Sequence, residues 1–132
     1  MHSPLSPTSI HPPFSAYSNG AEVPAGQKLV FCSGQLGITK EGTIPAGAEA
    51  QAELCFDNIA AILAESGLAL EHVVRINAFV SGREHLKPYM DVRNRRFSAP
   101  LPASTLMVVS GFARPEFVVE IEVVAAGPAS EV

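Results

Sequence analysis

The segment FVVEIEVVAA, residues 117–126, holds two glutamates two apart inside an apolar run. It reads as a strand, and alternation puts Val118, Glu120 and Glu122 on one face with Val119, Ile121 and Val123 on the other. The second face belongs to a core. The first needs an account, because a carboxylate on a strand is solvated, paired with a cation on a neighbouring strand, or held in a cleft where its protonation is used. Solvation and pairing are the commoner outcomes. The surrounding chain decides whether Glu120 departs from them.

With 132 residues the chain is long enough for one domain with a single core. Residues 1–13, rich in Pro, Ser and His, are expected to form an irregular arm pinned by Ile10 and Phe14; residues 14–126 form the domain and 127–132 a short tail. His2 and His11 lack partners at ligand spacing, so they are expected to be solvated and no metal site is predicted. Nine Lys and Arg against 13 Asp and Glu leave a net charge of −4, with the basic residues grouped only at Arg93, Arg95 and Arg96. That group is expected on a solvated or inter-subunit face, and nucleic-acid binding is not indicated. No apolar window is long enough to span a bilayer, and the N-terminus lacks the apolar core of a signal peptide. Cys32 and Cys55 fit neither a CxxC pair nor zinc spacing and read as small buried residues of a reducing cytosol, which makes the protein cytoplasmic. An apolar content of 47% in so short a chain points to surface buried between subunits.

Upstream, the turn residues Ser18-Asn19-Gly20 and Pro24-Ala25-Gly26 suggest a hairpin. In KLVFCSGQLG, residues 28–37, a strand breaks at Ser33-Gly34-Gln35, and glycine there marks a bulge or a close approach to the backbone. From about Ala48 to Ser66 the apolar residues Ala52, Cys55, Phe56, Ile59, Ile62 and Leu63 recur at three and four, predicting a helix closed by Gly67. A strand over His72–Val80 carries Val74, Ile76, Ala78 and Val80 on one face, which is expected to lie under that helix. Pro88 suits the first position of a second helix reaching about Phe97, with Leu86, Met90 and Phe97 inward. Ala103–Val109 is a further strand. This order predicts an α+β domain with two helices on one face of a sheet, whose uncovered face must find a partner in a cyclic homo-oligomer.

The pieces FSAYSNG, VFCSGQLG, QAELCFDNIAAILAESG followed by VVRINAFV, PAST and EFVVEIEVVA, in this order and spacing, resemble the Rid family of enamine and imine deaminases, also called YjgF or L-PSP endoribonuclease-like. The resemblance covers Phe14 to Ala126. It implies a chorismate-mutase-like α+β fold and a homotrimer with a central barrel-like core. Three inter-subunit clefts would hydrolyse reactive imines to keto acids and ammonia, with neither cofactor nor metal. Carried over by position, Tyr17 would line the cleft, Ser33 and Gly34 would form the backbone corner facing the ligand, and Glu120 would position the attacking water. Ser104, Thr105 and Leu106 match the strand that receives the substrate's nitrogen or carboxylate, and Met90 falls where the deaminating branch commonly has Asn.

Ser104 stands where that branch has the arginine that forks onto the substrate carboxylate, a charge-assisted contact of about 1.5 to 3 kcal/mol. Another cation, with Arg75, Arg93 and Arg114 the candidates from either subunit, would have to replace it. Two functions remain open. One is hydrolysis of an enamine or imine other than the simplest 2-imino acids, with Glu120 as acid/base and Tyr17 fixing the substrate. The other is a non-catalytic trimer that uses the same cleft to bind a small molecule, with Glu120 a satisfied structural carboxylate. A ribonuclease would need a basic track that the chain lacks.

Overall fold

The computed structural model describes residues 1–129. Its main sheet has four strands in the order β3 (Lys28–Leu36), β6 (Val119–Gly127), β4 (Val73–Val80) and β5 (Ala103–Val108). Strand β6 runs antiparallel to both β3 and β4, while β4 and β5 are parallel. The glutamate-bearing strand therefore occupies the interior of the sheet, and both of its neighbours are fixed by backbone hydrogen bonds. Helices α1 (Ala48–Ala64) and α2 (Leu86–Arg96) fill the β3-to-β4 and β4-to-β5 connections and pack on one face. The last three residues of the expected C-terminal tail lie outside the described residues, and Gly127 still belongs to β6.

Helix α1 follows the predicted stripe: Ala52, Cys55, Phe56, Ile59 and Leu63 are buried, Ile62 packs against them, and Gly67 takes a φ of 72° just beyond the helix. Beneath it lie Ile76, Ala78 and Val80 of β4 with Val119, Ile121 and Val123 of β6. Gln51, fully buried on the same helix, spends its side chain on backbone. Its Nε2 donates to the carbonyls of Pro45 and Glu116, each at 2.9 Å, and its Oε1 accepts from the Val118 N–H at 3.0 Å. The segment entering β6 is thus tied to α1 two residues before Glu120.

Helix α2 departs from expectation. It begins at Leu86, so Pro88 is its third residue, still within the first turn where a missing N–H costs nothing. Tyr89, Val92 and Arg93 are its buried residues; Leu86, Met90 and Phe97 are only half-buried at the edge of the core. Arg95 and Arg96 reach across to α1, pairing with Glu49 at 3.2 Å and with Asp57 at 2.6 Å and Glu53 at 3.3 Å. Arg93, 3% exposed, departs from the reading of this group as solvated.

The opening residues also differ. Ser3–Leu5 forms a short strand, β1, that pairs antiparallel with β2 (Gly20–Glu22). The expected hairpin between β2 and β3 is therefore replaced by a separate two-stranded sheet. His2 is buried and donates from Nε2 to the Leu101 carbonyl at 2.9 Å, which corrects its reading as solvated. Ile10 and Phe14 are exposed and do not pin the arm.

Opposite the helices, the sheet presents Leu29, Phe31 and Met107, each more than half exposed. By register, Glu120 and Glu122 share this face with Phe79 and Asn77 of β4.

Candidate active site

Glu120 is set by the two strands beside it. Its register partners are Leu36 on β3 and Phe79 on β4, and the β3 pairing slips between Cys32 and Gln35, leaving Ser33 and Gly34 in a bulge. The carboxylate of Glu120 lies over that bulge. A methyl group at Gly34 would sit 2.9 Å from Glu120 Cδ and in direct collision with Oε2, so glycine at the break in the strand is what lets the carboxylate lie where it does. Glu120 and Gly34 line a cavity of about 370 Å³ with Phe79, Val109, Gly111, Phe112 and Glu122. Among the described residues no ion pair or hydrogen bond holds the Glu120 carboxylate. Half-buried and without a protein partner, it is free to accept a proton from, or a hydrogen bond of, whatever enters.

Cys55 supports the bulge from the helix side, its Sγ donating to the Gln35 carbonyl at 3.2 Å. Burial pushes its thiol up to about 12, and the negative charge of Glu120 adds to the shift; burial also raises Cys32. The group is held protonated and is no nucleophile at neutral pH. Because the native state binds this proton more tightly than the unfolded chain, the contribution to stability is complete below a pH of about 8.5. It fades as the pH rises toward about 12. Native protein should therefore react slowly with a thiol–disulfide reagent at a pH of about 8 and fully once denatured. Equally fast reaction of both cysteines in the native state would contradict this.

A second cavity, also about 370 Å³, opens at the β5 edge on the helix side, lined by Phe14, Ser15, Tyr17, Leu86, Met90, Arg93, Ser104 and Leu106. Tyr17 is carried there by a segment stitched to the start of β5. Ser18 N–H donates to the Pro102 carbonyl at 3.0 Å, its hydroxyl donates to the Leu101 carbonyl at 2.8 Å, and Ser18 bridges in parallel to Ala103. The Tyr17 hydroxyl accepts the Phe14 N–H at 3.2 Å.

The structure thus brings Tyr17, Met90, Ser104 and Leu106 together, and separately brings Gly34 to Glu120 beside the exposed Ser33. Within one chain the two cavities share no lining residue. Thr105 belongs to neither: alternation turns it to the opposite face from Ser104 and Leu106, where its hydroxyl accepts from Arg75 Nη2 at 2.6 Å. Arg75 thus lies on the opposite face and lines neither cavity, and Arg114 lies over the Phe117 ring at 5.3 Å. Arg93 is the candidate cation that lines a cavity. Its spacing from Tyr89, four residues on, placed it on the buried stripe of α2, a signal masked by its basic neighbours.

A four-stranded mixed sheet with both helices on one face, a glutamate over a glycine bulge on the other and a tyrosine-lined cavity at its edge defines the class as an α+β sandwich with ligand-sized clefts. The chain belongs to the Endoribonuclease L-PSP family, the Rid or YjgF group, which it matches over residues 8–127. It is 35% identical over 117 residues to Protein DfrA of Myxococcus xanthus, covering 86% of this chain and 85% of that one. To the RutC family protein YjgH of Escherichia coli it is 32% identical, covering 92% of each chain. A 2-iminobutanoate/2-iminopropanoate deaminase of Dermatophagoides farinae is 27% identical over 112 residues, covering 83% of this chain and 82% of that one. Among solved structures, RidA of the Antarctic bacterium Psychrobacter superposes with a TM-score of 0.70 at 31% identity, covering 86% of this chain and 89% of that one. Among the described residues no helix is long and apolar enough to cross a membrane, and no cluster of His, Cys, Asp and Glu could hold a metal ion.

Proposed function

We propose that this protein hydrolyses a reactive imine or enamine to a carbonyl compound and ammonia, as a cytoplasmic homotrimer whose clefts lie between subunits. The observation that carries the reading is the unpartnered Glu120 carboxylate facing a cavity. A structural glutamate would be satisfied by N–H groups or an arginine. The name of the Dermatophagoides relative supports the same chemistry. In the reaction, Glu120 takes a proton from water as its oxygen bonds to the imine carbon and returns it to nitrogen, giving a carbinolamine; it then moves the remaining hydroxyl proton to nitrogen as the C–N bond breaks, the C=O bond forms and ammonia leaves. An enamine first gains a proton at carbon and gives one up from nitrogen to become the imine. Imines hydrolyse unaided, so positioning and one acid/base group, worth about 100- to 10,000-fold, make a useful catalyst.

Assembly is part of the proposal. The sheet face carrying Glu120 also exposes Leu29, Phe31 and Met107, and burying it against two other copies would shelter this apolar surface. It would also let the Tyr17 cavity of one copy complete the Glu120 cavity of the next. The family's ribonuclease name finds no support in the basic residues of α2, since Arg93 is buried and Arg95 and Arg96 pair with carboxylates.

Absence of a cation at Ser104 favours one rival, a trimer that binds its ligand without turning it over. Ammonia release separates the two. Imines generated in situ by an amino-acid oxidase from a range of side chains should lose ammonia faster with the protein than without it, best with bulky ones, while light scattering reports three chains. Background rates throughout would leave the binding reading; a monomer at working concentration would remove the shared cleft.

A further inference from the structure

The second cavity contains a charge that the chain leaves unmatched. Arg93 is 3% exposed, and among the described residues its guanidinium donates to neutral oxygens: Nη2 to Ser15 Oγ at 2.8 Å, and Nε and Nη2 to Asn94 Oδ1 at 3.4 and 3.3 Å. It otherwise lies 5.9 Å from the centroid of the Tyr17 ring and 5.8 Å from that of Tyr89. Among the described residues it makes no ion pair, whereas Arg95 and Arg96 on the same helix have Glu49, Glu53 and Asp57. Burying a cation without an anion is costly, and aromatic faces return only part of the lost hydration. In the same cavity wall the Ser104 hydroxyl is buried beside the Tyr89 hydroxyl, with no acceptor in good geometry. One buried cation and one hydroxyl, both lining the cavity, are donors placed for an incoming acceptor.

The geometry points to Arg93 as the residue that binds an anionic group of the ligand, and to that ligand as a carboxylate on an apolar, unsaturated body. A single planar guanidinium suits one planar carboxylate, whereas a phosphate would call for more cations. The remaining walls, Phe14, Tyr17, Leu86, Met90 and Leu106, are apolar or aromatic, and about 370 Å³ exceeds the needs of a three- or four-carbon acid. The cation thus moves from the strand, where Ser104 stands, to α2. This deepens the imine-hydrolase reading of the same cleft, but its test requires no turnover.

Wild-type protein should be titrated calorimetrically with cinnamate and with cinnamamide, its neutral counterpart, at fixed ionic strength. Cinnamate should bind about tenfold or more tightly, equivalent to roughly 1.4 kcal/mol. Arg93→Gln should erase the preference, Arg93→Lys should keep part of it, and Arg95→Gln should leave it intact. Equal binding of acid and amide, no saturable cinnamate binding, or a preference that survives Arg93→Gln would overturn the assignment. The wild-type comparison stands alone if the glutamine variant does not fold. Arg93-dependent cinnamate binding without ammonia release would sink the hydrolase reading only. Ammonia release indifferent to a substrate carboxylate would sink this assignment only.

Discussion

Glu120→Gln should lower the rate of ammonia release by about 100- to 10,000-fold while leaving the assembly and its thermal midpoint nearly unchanged. Glutamine keeps the volume over the Gly34 bulge but cannot take a proton from water. Among the described residues the carboxylate makes no hydrogen bond or ion pair that the amide would forfeit, so stability should hardly register the change. That separation makes the variant diagnostic: a structural glutamate would show the reverse pattern, with lost stability and retained rate. Gly34→Ala is its companion. The added methyl would meet the Glu120 side chain, 2.9 Å from Cδ, and must push the carboxylate aside. Activity should fall with the Glu120 residue still present. A Gly34→Ala enzyme as fast as wild type would mean that the position of the carboxylate is immaterial.

Gln51→Leu should be the most damaging single substitution for stability among the polar residues, costing about 3 kcal/mol or more. Leucine fills similar space but strands the Val118 N–H and the carbonyls of Pro45 and Glu116, all of which Gln51 satisfies. Each buried group left without a partner costs about 1 to 3 kcal/mol. Denaturant unfolding measures the loss directly. Activity should decline as well, because the Val118 bond fixes the strand two residues before Glu120. A loss below about 1 kcal/mol would show that water replaces the amide without strain.

Periodicity alone carried much of the fold. The repeat at three and four from Ala52 to Leu63 and the alternation in Ile76–Val80 and Val119–Val123 predicted the elements and the faces they bury, whereas a register shift between Val73 and Arg75 puts Val73, not the expected Val74, into the core. The glycine at position 34 was legible as a bulge because a gap in a β pattern has few causes. Tyr17 and Glu120 were legible through resemblance, as chain positions without neighbours.

Other features were decided by contacts distant in sequence. That β2 pairs with β1 rather than β3 depends on where the arm docks, and His2 is buried because the Leu101 carbonyl happens to face it. Thr105 and Ser104 are adjacent in the chain but lie on opposite sides of the sheet, which separates a residue tied to Arg75 from one facing the cavity. Above all, three arginines within four positions of α2 carry equal charge in the sequence and meet different fates. Arg95 and Arg96 find carboxylates on α1, whereas Arg93 turns inward onto two tyrosine rings and a cavity. Local pattern determines which residues share a face, but the partner of a charge is chosen only when separate elements pack.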